Sequence, residues 1–361
     1  MLGRKTPILF RFALPLFTLS LIILSASKRY CKVADFVNGM IGTPIRFALA
    51  RISGILSLSV AELVVFLSLA ILVFLVSLGV SAVKRGHGGC FILKLVSWVM
   101  LFSALYTLTL GVAYHTSSIG VRMGFDTVRV TEDDLYHSAV ELIEELNGIS
   151  AKLQYDETSS VMPYDKDELS TKISSSYDAF LLDYPIFKNY ETRAKRVLLG
   201  DLMASAGILG VYTYFTGEAN VSFSYPDYLI PETVAHEFAH QRGIAREDEA
   251  GFVAYLVCSY SDDDYIRYSG ALGIAEYLIS ALAKTDRARA ISLYEMMADG
   301  VLADINAYRE FYKKYQNSPI RKIASFVNDL YLKSNGTSGI VSYSGVVVHY
   351  ISYQHSQNTD N

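Results

Sequence analysis

The hydrocarbon core of a bilayer takes roughly 20 consecutive apolar residues per helix, because no backbone polar group can go unpaired there. Three stretches of this chain meet that demand: Ile8 to Ser27, Leu63 to Val83 and Leu95 to Tyr114. Arg11 is the only charge inside the first, Lys84-Arg85 closes the second, and Trp98 and Tyr114 sit near the two ends of the third. Amphipathic rings at such positions suit a membrane interface. The first stretch is longer than the apolar core of a secretory signal, and no small-x-small cleavage site leads from it into polar sequence. It is therefore expected to remain as an anchor. Glu62, at the edge of the second stretch, is expected at the interface and carries no assigned role. Phe36 to Ile55 is semi-apolar and reads as an interfacial or re-entrant segment.

Flanking charge gives the orientation. Arg4, Lys5, Arg11, Lys84, Arg85 and Lys94 fall on one side, and Lys28, Arg29, Lys32, Arg46 and Arg51 on the other. The compact Lys84-Arg85 turn and the basic N-terminus favour a cytoplasmic N-terminus, which places the residues after the third span outside the cytoplasm. Net charge is −4, so the chain has no basic footprint for nucleic acid. Cys31, Cys90 and Cys258 lie far apart with no CxxC pair, which argues against a disulfide framework and a cysteine metal cluster.

Beyond about residue 115 the composition becomes that of a water-exposed domain. Thr131 followed by Glu132-Asp133-Asp134 reads as a helix start, with Leu135, Ala139, Leu142, Ile143 and Leu146 at helical spacing and Asn147-Gly148 as a stop. Gln154 to Lys166 reads as loop, Tyr190 to Leu202 as helix, Ile208 to Phe215 and Gly217 to Phe223 as strands, and Ser261 to Tyr315 as mainly helix. The fold class expected is mainly α with a small β-sheet.

The chemistry concentrates at His236-Glu237-Phe238-Ala239-His240. Histidines four apart share a helix face and can reach one ion. Pro231 suits the start of that helix and Gly243 its end. Glu237 then stands beside the open position of the ion as general base. Zn2+ would lower the pKa of its water and polarise the scissile carbonyl. A chance His-Glu-x-x-His on a surface helix is the bland alternative. The acidic run Glu247-Asp248-Glu249 directly downstream argues for the metal, since a catalytic zinc takes a third protein ligand. Glu247 and Glu249 are about 200° apart on a helix, so one faces the ion and the other does not; spacing does not choose between them. The same acids also suit a helix N-terminus without any metal.

Glu247-Asp248-Glu249-Ala250-Gly251 resembles the Glu-x-x-x-Asp of gluzincin peptidases, with Glu247 in the ligand place and Gly251 departing from the pattern. The HExxHxxGxxxE spacing resembles the metzincin layout, which also points to Glu247 and leaves Glu249 as the fallback. A broader resemblance covers most of the chain. Phe215-Thr216-Gly217-Glu218-Ala219-Asn220, Ala235 to Gly243, Glu247 to Ala250 with Phe252, and Asp329 to Gly336 with Gly339 and Ser342-Tyr343 together resemble a bacterial family called domain of unknown function 3810. Gly251 stands where that family usually has Asn. The resemblance implies a multispan N-terminus and a zincin-like domain, but no substrate.

The expected organisation is a membrane region over 1–115, a zincin-like metallopeptidase domain over 116–352 and a polar tail over 353–361. The expected function is zinc-dependent hydrolysis of a peptide or protein substrate, membrane-associated ones included, with the lipid bilayer as the other partner. His236, His240 and Glu247 or Glu249 would hold Zn2+, Glu237 would act as base, and Tyr343 is a candidate donor to the developing oxyanion. The strand over Asn220 to Phe223 is a candidate edge for an extended peptide. Glu218 is expected to play a structural part, His349 to be satisfied or solvated, and Cys258 to be a buried small hydrophobe. The rivals are a membrane sensor or scaffold with a structural or vestigial zinc, and a zinc hydrolase of a non-peptide cell-envelope bond.

Overall fold

The structure, a computed structural model, describes residues 6–359, except for the side chains of Tyr343 and Thr359. The chain divides into two units. The first holds the residues up to Thr116 together with Thr213–Glu218, and the second holds Ser117–Tyr212 with the rest.

In the first unit, α1 (Ile8–Arg29) leads into α2 (Cys31–Val37), a π turn over Asn38–Gly42 and α3 (Thr43–Ser53). Then come α4 (Val60–Lys84) and α5 (Gly88–Tyr106), which runs on through a π turn, Thr107–Gly111, and a 3-10 turn, Val112–His115. Three helices are long and apolar enough to cross a membrane: Ile8–Arg29, Val60–Lys84 and Gly88–His115. The most apolar stretch of α4 has no buried residue, so an apolar helix stands with its surface uncovered by protein. Arg46, expected to be a flanking charge, is instead fully buried. Its guanidinium donates to the Asn38 and Thr109 carbonyls and to Thr43 Oγ1. Both carbonyls belong to π turns, whose irregular bonding leaves oxygens free to accept. Glu218, from the 213–218 segment, accepts from Val60 N at 3.0 Å and Ala61 N at 2.9 Å. It therefore satisfies orphan donors at the positive end of α4.

The second unit begins with α6 (Ile119–Met123) and α7 (Glu132–Ser150). A capping box between Thr131 and Asp134 starts α7 as the sequence suggests. Asn147 does not stop the helix. Its side chain bonds Met296 O and Ala298 N instead, so it serves packing between segments. After the loop comes α8 (Lys166–Asp183), capped by Asp165. Tyr190 to Leu202 does not form the expected helix. Thr192 and Tyr190 bond Gln241 and Ala194 N bonds Ser170 Oγ, which draws this backbone out into β1 (Lys195–Arg196), with α9 (Gly200–Ala206) only afterwards.

Strands β2 (Gly210–Thr213) and β3 (Glu218–Val221) follow, giving a sheet of order β1-β3-β2 with β1 parallel to β3. β2 is thus an edge strand. Next come α10 (Ile230–Gln241), α11 (Glu247–Ser259), α12 (Asp264–Leu282), α13 (Arg287–Glu295), α14 (Asp299–Tyr315), α15 (Pro319–Ser334) and α16 (Val346–Thr359). The core is built on α11, which packs against α8, α10, α12 and α16 and buries Phe252, Val253, Leu256, Val257 and Cys258. Most of the expected polar tail is helical. Val346–Thr359 continues past Ser352, and Tyr353 packs its ring on Phe125 and Phe252.

Candidate metal centre

The site starts from how α10 is held. Pro231 occupies its first turn, where a missing N–H costs nothing, and Glu232 meets the positive helix end. The helix stops because Gly243 turns at φ +95°, a left-handed conformation that glycine adopts freely, and Ile244 N closes the turn on Ala239 O at 3.0 Å. Arg242 secures the end from beneath. It is fully buried, lies 4.3 Å from the Tyr177 ring centre and 4.9 Å from that of Phe238, and donates to Asn189 Oδ1 and Tyr190 O. Burial lowers its pKa, while Tyr177 and Tyr190 act the other way.

This turn brings the first residue of α11 back to α10. Glu247 Oε2 lies 3.1 Å from His236 Nε2 and 3.3 Å from His240 Nε2. The three donors all fall within 4.8 Å of one another. A tetrahedral ion with bonds of about 2.0–2.1 Å keeps its ligands about 3.3 Å apart, so the donor set fits Zn2+ in size and in kind. The tautomer suits ligation as well. His240 Nδ1 lies 2.8 Å from Ile244 O and donates to it, leaving Nε2 toward Glu247. His240 and Glu247 also act on each other's protonation. Burial opposes charge on His240, yet Glu247 overrides it and lifts the imidazole to about 9. The histidines in turn hold Glu247, against its own burial, well below the usual carboxylate range.

Glu237 follows His236 directly and lies against Gly210 of β2. The residue is 4% exposed and its Oε2 has no hydrogen-bond partner. Burial pushes its pKa up to about 7, with His240 and His236 pulling the other way. The edge strand makes room for it at Gly210, where a Cβ would stand 2.6 Å from Glu237 Oε1. A buried carboxylate with an unused oxygen and a raised pKa, near convergent donors, is the kind of group that marks a candidate functional site.

A family profile described as Protein of unknown function (DUF3810) matches residues 41–351. The chain belongs to the DUF3810 family. No curated protein and no solved structure matches it.

In this DUF3810 chain Glu249 is not part of the cluster. Its Oε1 accepts from Ile119 N at 2.8 Å and Arg246 Nη2 at 2.5 Å, so it ties the start of α6 to α11. The Tyr343 side chain lies outside the described residues. His349 pairs with Asp248 at 3.4 Å and lies over Phe252, away from the three donors. Sequence reasoning passed over Gly210 and two further groups. Glu232 stands one turn ahead of His236, a spacing that could have flagged it. Burial raises its pKa and His236 lowers it. Tyr277, on α12, is a tyrosine whose ionisation Glu247 opposes. Burial raises its pKa first, then Glu232, Glu247 and Glu276. No local pattern marks it, because it lies on α12, outside the motif.

Proposed function

We propose that the protein is a membrane-anchored zinc hydrolase of peptide bonds, with the second unit as a zincin-like domain on the extracytoplasmic side. The observation that carries this is the pairing of three donors at ligand spacing with a buried, unpartnered Glu237. His236, His240 and Glu247 hold the ion. When bound, Zn2+ supplies Lewis-acid polarisation and a water of lowered pKa. Glu237, at about 7, would be the residue that accepts a proton as water adds to the carbonyl carbon and donates it to the amine nitrogen as the C–N bond breaks. β2, an edge strand passing over Glu237 at Gly210, offers main-chain groups along which an extended substrate can pair. The side of the membrane rests on the basic N-terminus and the Lys84-Arg85 turn.

The test is metal content of the detergent-purified protein by elemental mass spectrometry, beside peptide hydrolysis. One zinc per chain is expected in wild type and in Glu237→Gln, and none in Glu247→Gln. Hydrolysis should disappear in both variants. Zinc present with undiminished hydrolysis in Glu237→Gln would overturn the role of the base. Zinc without hydrolysis in wild type, on any peptide, would leave a sensor or scaffold instead.

A further inference from the structure

Helix α15 carries an apolar stripe that the domain does not cover. Ile320, Ile323, Phe326, Val327 and Leu330 recur three or four apart and are 44%, 65%, 69%, 56% and 60% exposed. On a helix they span an arc of roughly 120°. Leu332, the only buried residue of α15, falls on the opposite side. The helix therefore uses its less apolar face for packing and turns its more apolar face outward. Ile340 and Val341, in the 3-10 segment that packs on α15, are also exposed.

Charge says what the stripe meets. From Phe311 to Ser334 there are five basic residues, Lys313, Lys314, Arg321, Lys322 and Lys333, against one acid, Asp329. Lys322 and Lys333 border the apolar arc. A shallow groove of about 510 Å³ lies at its edge, lined by Arg321, Lys322, Ser325, Phe326, Asp329 and Ile340, and sets cationic groups beside an aromatic ring. An outward apolar face bordered by lysine is the pattern of helices that lie in a bilayer interface and favour anionic lipid. The chain also keeps this domain close to a bilayer. The third membrane-length helix ends at His115 and the second unit begins at Ser117. A junction so short raises the effective concentration of the whole unit at a bilayer that holds those helices, so a weak affinity suffices.

We propose that α15 lies in the headgroup region of an anionic phospholipid bilayer, with its stripe toward the acyl chains. The full-length protein, with Cys31→Ala and Cys90→Ala, is placed in nanodiscs of phosphatidylglycerol and phosphatidylcholine. Single cysteines are introduced by Phe326→Cys, Leu330→Cys and, as an aqueous reference, Glu310→Cys, and are labelled with an environment-sensitive fluorophore. The two stripe labels should be quenched at least threefold more than the reference by lipids carrying a shallow nitroxide, and at least threefold less by iodide in the water. In nanodiscs of phosphatidylcholine alone the contrast should shrink. Adding Ile320→Asp and Ile323→Asp to the Leu330→Cys protein should return its label to iodide. Iodide access equal to the reference would overturn the proposal. So would protection from both quenchers, which would mean that protein, a second copy or a bound polypeptide, covers the stripe.

Discussion

Replacing Glu237 by glutamine should make the metal-free protein more stable, by an amount set by pH. The wild-type carboxyl is buried, has an unpartnered oxygen and is pushed from an ordinary value of 4.5 up to about 7. A group whose value is raised on folding favours the folded state while protonated. That contribution is whole below pH 4.5 and is lost as pH climbs through 7. At 1.36 kcal/mol per pH unit, the carboxylate costs the folded protein about 3 kcal/mol by pH 8. Glutamine keeps the shape and removes the titration. The difference between variant and wild type should therefore be under about 1 kcal/mol at pH 5 and about 3 kcal/mol at pH 8. For a domain of this size that is a rise in melting temperature of about 6–12 °C at pH 8. The assay is thermal unfolding in detergent, after chelation, across pH 5 to 8. A difference that stays flat with pH would refute the reasoning, because it would mean that Glu237 is solvated or paired.

Zinc binding at pH 7 should release about one proton, because His240 sits at about 9 before the ion arrives; calorimetry in two buffers of different ionisation enthalpy measures this, and zero protons would dismiss a protonated His240. Gly210→Ala places a methyl group 2.6 Å from Glu237 Oε1, so it should cost about 1–3 kcal/mol of stability and most of the hydrolysis while leaving zinc content unchanged; unaltered hydrolysis would show that the strand does not position the base. Glu249→Gln weakens the bonds to Ile119 N and Arg246, so stability should fall by about 1–3 kcal/mol with zinc stoichiometry intact; loss of zinc would return Glu249 to the ligand set.

Local pattern carried the membrane-length helices and the first two donors. Apolar runs bound Ile8–Arg29 and Val60–Lys84 to within three residues, and the four-residue step from His236 to His240 is a property of one helix. The choice between Glu247 and Glu249 was not legible in their spacing, and only the resemblance to known peptidases favoured Glu247. Glu249 is occupied by the Ile119 amide, 130 positions away in sequence. The same reason hid the stretch from Tyr190, whose backbone is drawn out by Gln241, and Arg46, whose acceptors are carbonyls of two irregular turns. Gly210 gave no sign of its purpose, because the atoms that need the space belong to Glu237 on another element.

The three donors fall between His236 and Glu247, so a single tight turn assembles them and the chain entropy of closing that loop is small. The environment of Glu237 is different, since it depends on a strand from elsewhere in the domain. On the proposed reading, ion capture would then be a local matter of one turn, and the protonation of Glu237 a matter of the whole domain. A copy with the sheet disturbed would hold zinc and hydrolyse nothing, so metal content and activity would report on different parts of the protein.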